Sequence, residues 1–213
     1  MQNTTTHYLL VLDKSGSMGN AWSATMSALN EQIQAIQKLQ KKNQDIPIKT
    51  NLITFDDEVN FNFMDVPAAH LEELNPNSIE PNGMTALLDA AGKGIDILSE
   101  KKSAEDDVIC IMITDGMENA SRMYSYELIA SKIADKKATG KWTFVILGAD
   151  FDVWDIGNRL NIDSNKRMRY EKNRTKETFQ YMDNMMTEYV SYKKMGKLQD
   201  AFDLTKKIKT PKK

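Results

Sequence analysis

Short, nearly continuous apolar runs alternate with amphipathic stretches along this chain, and the alternation predicts a βα rhythm. His7–Leu12 (HYLLVL) is apolar almost throughout, as a strand covered on both faces must be. It ends in DKSGSMGN, a loop rich in Ser and Gly. Beyond it Met26, Leu29, Ile33, Ile36 and Leu39 recur at spacings of three and four, one face of a helix running to about Lys42. Lys49–Phe55 predicts a second strand. After Asp56-Asp57, Val59, Phe61 and Phe63 alternate with Asn60 and Asn62. Period two with one polar face predicts an antiparallel edge strand over Glu58–Phe63, joined by a tight hairpin. Asp65 to Gly83 holds three of the five prolines and no sustained period, so it reads as connection with a helical turn.

The second half repeats the rhythm. Ala86–Leu98 predicts a helix whose small residues Ala90, Ala91 and Gly94 let it lie close to a sheet. Val108–Ile113 (VICIMI) is the most hydrophobic segment and predicts the central strand, with Cys110 as a small buried hydrophobe. Tyr124–Lys137 predicts a helix with Leu128, Ile129 and Ile133 inward. Trp142–Leu147 predicts a buried strand, Val153–Leu160 a short helix and Met168–Tyr170 a weak last strand. Thr175–Tyr192, carrying Phe179, Met182, Met185, Met186 and Tyr189, predicts a closing helix. The sum is an α/β fold: a doubly wound, mostly parallel six-stranded sheet with one antiparallel edge strand and helices on both faces. It predicts a domain over residues 1–192 followed by a Lys-rich C-terminal tail, 193–213.

Composition narrows the chemistry. With 41% hydrophobic and 27% charged residues, a chain of 213 residues can bury a core without disulfides or a structural metal. A single cysteine excludes a disulfide framework, and two histidines, His7 and His70, exclude a multi-His zinc site. The first residues, MQNTTTH, lack the basic and apolar regions of a secretory signal, and no apolar run is long enough for a membrane span; a cytoplasmic location is expected. The net charge of −2 is unevenly spread. The tail carries eight lysines against Asp200 and Asp203, net +6, leaving the other 192 residues at −8. An acidic body argues against a nucleic-acid surface there, and the tail reads as a solvated lysine-rich end.

In doubly wound sheets the functional crevice lies beyond the carboxyl ends of the strands. Three loops leave strand ends or helix starts with matching chemistry. The first carries Asp13, Ser15 and Ser17 directly after the first strand. The second carries Thr85 after Asn82-Gly83-Met84, just ahead of a helix. The third carries Asp115-Gly116 directly after the central strand. Two carboxylates and three hydroxyls are hard oxygen donors, suited to a six-coordinate magnesium or manganese ion. An ion held largely by neutral hydroxyls keeps much of its charge and seeks a further anionic oxygen, which an Asp or Glu of a protein partner supplies.

Asp13-Lys14-Ser15-Gly16-Ser17, with Thr85 and Asp115, resembles the metal-ion-dependent adhesion site of a von Willebrand factor type A domain. Thr54-Phe55-Asp56-Asp57, Gly83 to Ala90, Thr114 to Ser121 and Leu147-Gly148-Ala149-Asp150 are similar to the compact single-domain bacterial and phage members. The resemblance covers about Tyr8 to Tyr192. It implies a Rossmann-like fold with Ser15, Ser17 and Thr85 as direct metal ligands, and Asp13 and Asp115 acting directly or through water. Lys14 stands where the family often has small or acidic residues. The resemblance also implies work inside a bacterial or phage-infected cell, many intracellular members acting beside AAA+ ATPases or in assembly systems.

The leading expectation is therefore a non-enzymatic, divalent-metal-dependent protein-binding module. Two alternatives stand beside it. One is a magnesium-dependent phosphoryl-transfer or hydrolytic enzyme, although the sequence holds no P-loop, no G-x-S-x-G elbow and no Ser-His pairing. The other is a nucleic-acid-binding accessory protein acting through the basic tail, against which stands the lack of interleaved aromatics. Around the site, Met18, Met84 and Met117 each neighbour a candidate ligand and form a flexible thioether rim or pack beneath the loops. Trp22, Met123 and Tyr124 are further rim candidates, Trp22 equally a residue packed at the start of its helix. Glu118 and Asn119 read as solvated loop residues ahead of a role in tuning the site, and Asp56 and Asp57 as hairpin residues.

Overall fold

A computed structural model describes residues 4–149, 153–198 and 201–205. Strands β1 (Thr6–Asp13), β2 (Ile48–Phe55), β3 (Val59–Pro67), β4 (Asp107–Thr114), β5 (Trp142–Gly148) and β6 (Arg167–Arg169) form one sheet in the order β3-β2-β1-β4-β5-β6. All neighbours are parallel except β2 and β3. The helices are α1 (Trp22–Lys42), α2 (Leu87–Lys101), α3 (Tyr126–Ala138), α4 (Val153–Arg159) and α5 (Thr175–Lys194). The expected doubly wound, mostly parallel sheet with one antiparallel edge strand is present.

The near-continuous apolar strands are covered on both faces. Alternate side chains of β1 enter different cores: Tyr8, Leu10 and Leu12 pack with α1 and α5, while Leu9 and Val11 pack with α2 and α3. Gly94 brings α2 against the sheet, since a Cβ there would stand 3.0 Å from Ile53 Cδ1 and 3.2 Å from Leu9 Cδ2. Cys110 is buried in β4, and burial pushes its thiol up to about 12, as its reading as a hydrophobe requires. Among the described residues, no helix is long and apolar enough to cross a membrane.

Local details add to this picture. Strand β3 runs on to Pro67, past a shift of register opposite Asn51, where Asn51 Oδ1 accepts from the Asp65 amide at 2.7 Å and Asp65 adopts φ 60°. A bulge of this kind hides the continuation, because it breaks the period-two pattern. Leu128 is exposed, a step of about 100° around the helix from buried Ile129. Met18 and Trp22 are buried, Trp22 donating from Nε1 to the Ile79 carbonyl at 2.7 Å, so neither joins a rim. Beyond Tyr192, the described part of the tail is packed on the domain. Lys193 reaches Asp107, Ala201 and Phe202 are buried, and the Leu204 amide donates to Asn165 O at 2.8 Å. Residues 206–213, which carry most of the remaining tail lysines, lie outside the described set.

Candidate metal centre

In the order 3-2-1-4-5-6 the chain departs in opposite directions from β1 and β4, and the crevice beyond their carboxyl ends is the switch point of the fold. Asp13 closes β1, and Asp115 follows Thr114 at the end of β4. From the extended Ser15 a short 3-10 turn, Gly16–Ala21, folds back so that Ser15 Oγ and Ser17 Oγ stand 3.1 Å apart. Ser17 Oγ donates to Asp115 Oδ1 at 2.5 Å, which closes the β1 loop onto the β4 loop.

The third loop is brought in by its backbone. Gly83, at φ 68°, presents its carbonyl to the Gly16 amide at 3.2 Å, and the Asn82 amide donates to Lys14 O at 2.9 Å. A Cβ at Gly83 would overlap the Asp57 carboxylate, and one at Gly116 would stand 3.0 Å from Thr85 Oγ1 and 3.6 Å from Ser17 Oγ. Glycine at these two positions therefore lets Thr85 close on the other two loops. All five sequence-predicted residues, Asp13, Ser15, Ser17, Thr85 and Asp115, converge on this one crevice. Met84 and Met117, beside Thr85 and Asp115 in the chain, are exposed, as is Met123.

Asp13 is fully buried beneath the hydroxyls. Its Oδ1 accepts from the Ser15 amide at 2.7 Å and its Oδ2 from Thr114 Oγ1 at 2.5 Å. Burial holds its carboxyl above the usual range; these bonds from Thr114 and Ser15 oppose the shift and Asp115 adds to it. Asp115 presents a second feature. Its buried Oδ2 has an ion-pair partner, Lys172 Nζ at 2.7 Å, yet accepts no properly directed hydrogen bond. An under-satisfied buried carboxylate oxygen beside three hydroxyls suits a hard divalent cation. Among the described residues no group of three or more His, Cys, Asp and Glu side chains is placed to hold a metal. A donor set rich in Ser and Thr does not need one.

Sequence reasoning missed the support of the site. Glu118 and Asn119 are structural, not merely solvated. Asn119 Oδ1 accepts from the Thr85 amide at 2.9 Å, and the Asn119 amide donates back to Thr85 O at 3.0 Å. Glu118 accepts from the Leu88, Ala120 and Ser121 amides, and so serves the otherwise orphaned amino end of α2. Asp89 accepts from the amides of Arg122, Met123 and Tyr124. The available signal was the pair of segments around Asp89 and Glu118, whose polar residues were read one loop at a time. Asp56 is more than a hairpin residue as well: it is ion-paired with Lys14 and so ties the first loop to the β2–β3 hairpin.

The comparisons with known proteins agree with the fold. No curated protein matches the chain in sequence. Among solved structures, the pilus adhesin SpaC from Lactobacillus rhamnosus GG is similar at TM-score 0.68 and 14% identity, over 89% of this chain and 31% of that one. The vWF domain of the type V pili tip protein Mfa5 from Porphyromonas gingivalis is similar at TM-score 0.65 and 12% identity, over 89% of this chain and 97% of that one. Proximal thread matrix protein 1 from the mussel byssus, with a zinc-occupied MIDAS motif, is similar at TM-score 0.61 and 13% identity, over 87% of this chain and 46% of that one. The chain thus spans less than half the length of the mussel protein and of the pilus adhesin, and the likeness at these identities is one of fold. The family model of the von Willebrand factor type A domain matches residues 8–118, and the chain belongs to that family.

Proposed function

We propose that this domain is a divalent-metal-dependent protein-binding module in which Asp13, Ser15, Ser17, Thr85 and Asp115 hold a magnesium or manganese ion. Domains of the family are generally adhesion or interaction modules. The observation that carries the reading is the convergence of three hydroxyls and two carboxylates from three separate loops on one crevice, with Ser17 Oγ bonded across to Asp115. When bound, the cation supplies a position for a carboxylate oxygen of an Asp or Glu on the partner. Ser15, Ser17 and Thr85 offer uncharged oxygens, so little of the ion's charge is cancelled. Asp13 and Asp115 act directly or through water. The exposed thioethers of Met84, Met117 and Met123 supply an adaptable apolar border for a protein partner. The family resemblance alone suggests an AAA+ ATPase or an assembly component as the partner.

The test is thermal unfolding with magnesium, manganese or zinc, zinc being included because the mussel structure carries it. Ligand at a hundredfold excess over its dissociation constant stabilises by about 2.7 kcal/mol. That gain is expected in the wild type and lost in Asp13→Ala and Thr85→Ala. Equal shifts in all three proteins refute the centre. Capture from lysate in magnesium, in EDTA and with Thr85→Ala then asks for the partner. A protein held only by the wild type in magnesium supports metal-gated recognition; one held equally in all three conditions moves the interface elsewhere.

A further inference from the structure

Lys172 stands where the crevice calls for a cation. It opens the single turn Lys172–Arg174 that leads into α5, far in sequence from the three loops. Its Nζ lies 2.7 Å from Asp115 Oδ2 and 3.4 Å from the Ser17 carbonyl oxygen. The Asp115 side chain is 0% exposed, whereas that of Lys172 is 28% exposed. A carboxylate so completely removed from water is tolerated in ionised form only beside a compensating charge. Asp115 Oδ1 is taken by Ser17, so Lys172 covers the one oxygen of that carboxylate that lacks a directed hydrogen bond.

We propose that Lys172 is an internal counter-cation of the metal centre, neutralising Asp115 in the metal-free protein and swinging out when a divalent cation binds. This rests on the metal centre proposed above. An ammonium and a divalent ion on one buried carboxylate repel each other strongly in the protein interior. The lysine is the one that can leave: its stem is flexible, its charge is readily hydrated, and its side chain already reaches solvent. Departure has a consequence for the helix that follows. Thr175 Oγ1 donates to the Lys172 carbonyl at 2.7 Å, so the backbone of Lys172 anchors the first turn of α5. Metal loading is therefore set against this ion pair and felt at the amino end of α5.

The experiment is calorimetric titration of the full chain with manganese chloride, using wild type, Lys172→Met, Lys172→Gln, Lys176→Met and Thr85→Ala. Lys172→Met and Lys172→Gln are expected to bind manganese about tenfold more tightly than wild type. Lys176, exposed on α5 and paired with Glu31 at 2.9 Å, controls for loss of a nearby charge, and its variant is expected to bind as wild type does. Amide hydrogen exchange supplies a second readout. Manganese is expected to speed exchange over residues 172–178 in the wild type and to leave it unchanged in Lys172→Met. Lys172 variants that bind no tighter than wild type, a gain matched by Lys176→Met, or an unaltered exchange pattern overturns the inference while Thr85→Ala still abolishes binding. If Thr85→Ala binds as well as wild type, or wild type does not bind, the metal centre falls and the role of Lys172 falls with it.

Discussion

The two ends of β1 hold the same kinds of side chain and use them in opposite ways. At the amino end the charges are closed among themselves. Lys193 Nζ lies 2.7 Å from Asp107 Oδ2 and donates to Thr4 O and Thr6 Oγ1, and Lys49 Nζ lies 2.7 Å from Asp65. His7 stands between Asp65 and Asp106, with a ring nitrogen 3.5 Å from each. At the carboxyl end, hydroxyls and carboxylates gather in a crevice bordered by exposed methionines, and the cation that reaches them, Lys172, comes from a distant turn. Charge paired with its own neighbours holds a fold together, even though His7 Nδ1, Asp65 Oδ1 and Asp107 Oδ1 make no directed hydrogen bond there; oxygens gathered around an opening are arranged for something from outside.

Breaking the amino end has the larger expected effect on stability. Lys193→Met strips its close partner from Asp107, which is buried, leaving Lys141 at 4.0 Å, and is expected to cost about 3 kcal/mol. The measurement is the denaturant midpoint at unchanged m-value in metal-free buffer. Thr85→Ala in the same buffer is expected to cost no more than about 1 kcal/mol, the effect of one lost hydroxyl. Its consequence belongs to the metal-loaded protein. A metal-free penalty for Thr85→Ala as large as that for Lys193→Met would make the crevice a structural element and erase the contrast.

Intermediate in size is the support beneath the crevice. Glu118→Ala removes the acceptor for the Leu88, Ala120 and Ser121 amides and is expected to cost about 1–2 kcal/mol. It should also weaken metal binding, because the loop carrying Thr85 is pinned by the neighbouring Asn119. Loss of stability with metal affinity unchanged would uncouple the helix cap from the centre.

The contrast between the two ends also explains what was legible in the sequence. Apolar runs and helical periods are local, and they located the six strands and five α-helices of the described residues. The gathering of the five candidate residues at one crevice was legible because each follows a strand end or precedes a helix, where the topology itself collects loops. Lys172 with Asp115, Glu118 with Leu88 and Lys193 with Asp107 were not legible, since each pairing joins segments with no shared period. The bulge at Asn51 erased the alternation that would have carried β3 to Pro67. Docking of Ala201 and Phe202 was hidden by the lysines around them, which drew attention to charge where two apolar residues set the position.

A different kind of effect concerns pH, and it separates the closed end from the seam between α1 and α5. Burial lowers the His7 imidazole, against the pull of Asp65 and Asp106 and with a lesser contribution from Lys49. A histidine lowered in the folded state binds its proton more readily when unfolded. Its stabilisation is whole above 6.5 and is lost as pH falls below that value. Asp183 on α5 has the opposite sign. Burial, with Glu31 of α1 facing it and against a hydrogen bond from Gln32, raises its carboxyl from 3.8 to about 7, and the buried Tyr8 hydroxyl lies on the same seam. The folded chain therefore holds that proton more tightly, and stability falls as pH rises from about 4 to about 7. In the wild type the two slopes oppose each other. Asp183→Asn removes one of them and is expected to raise Tm by roughly ten degrees above pH 7 while changing little near pH 4. What remains in the variant should include a climb from His7 as pH approaches 6.5, set against the falling contribution of Asp13, whose carboxyl burial also raises. A variant whose Tm runs parallel to that of the wild type across the whole range would show that the α1–α5 seam holds no proton of its own.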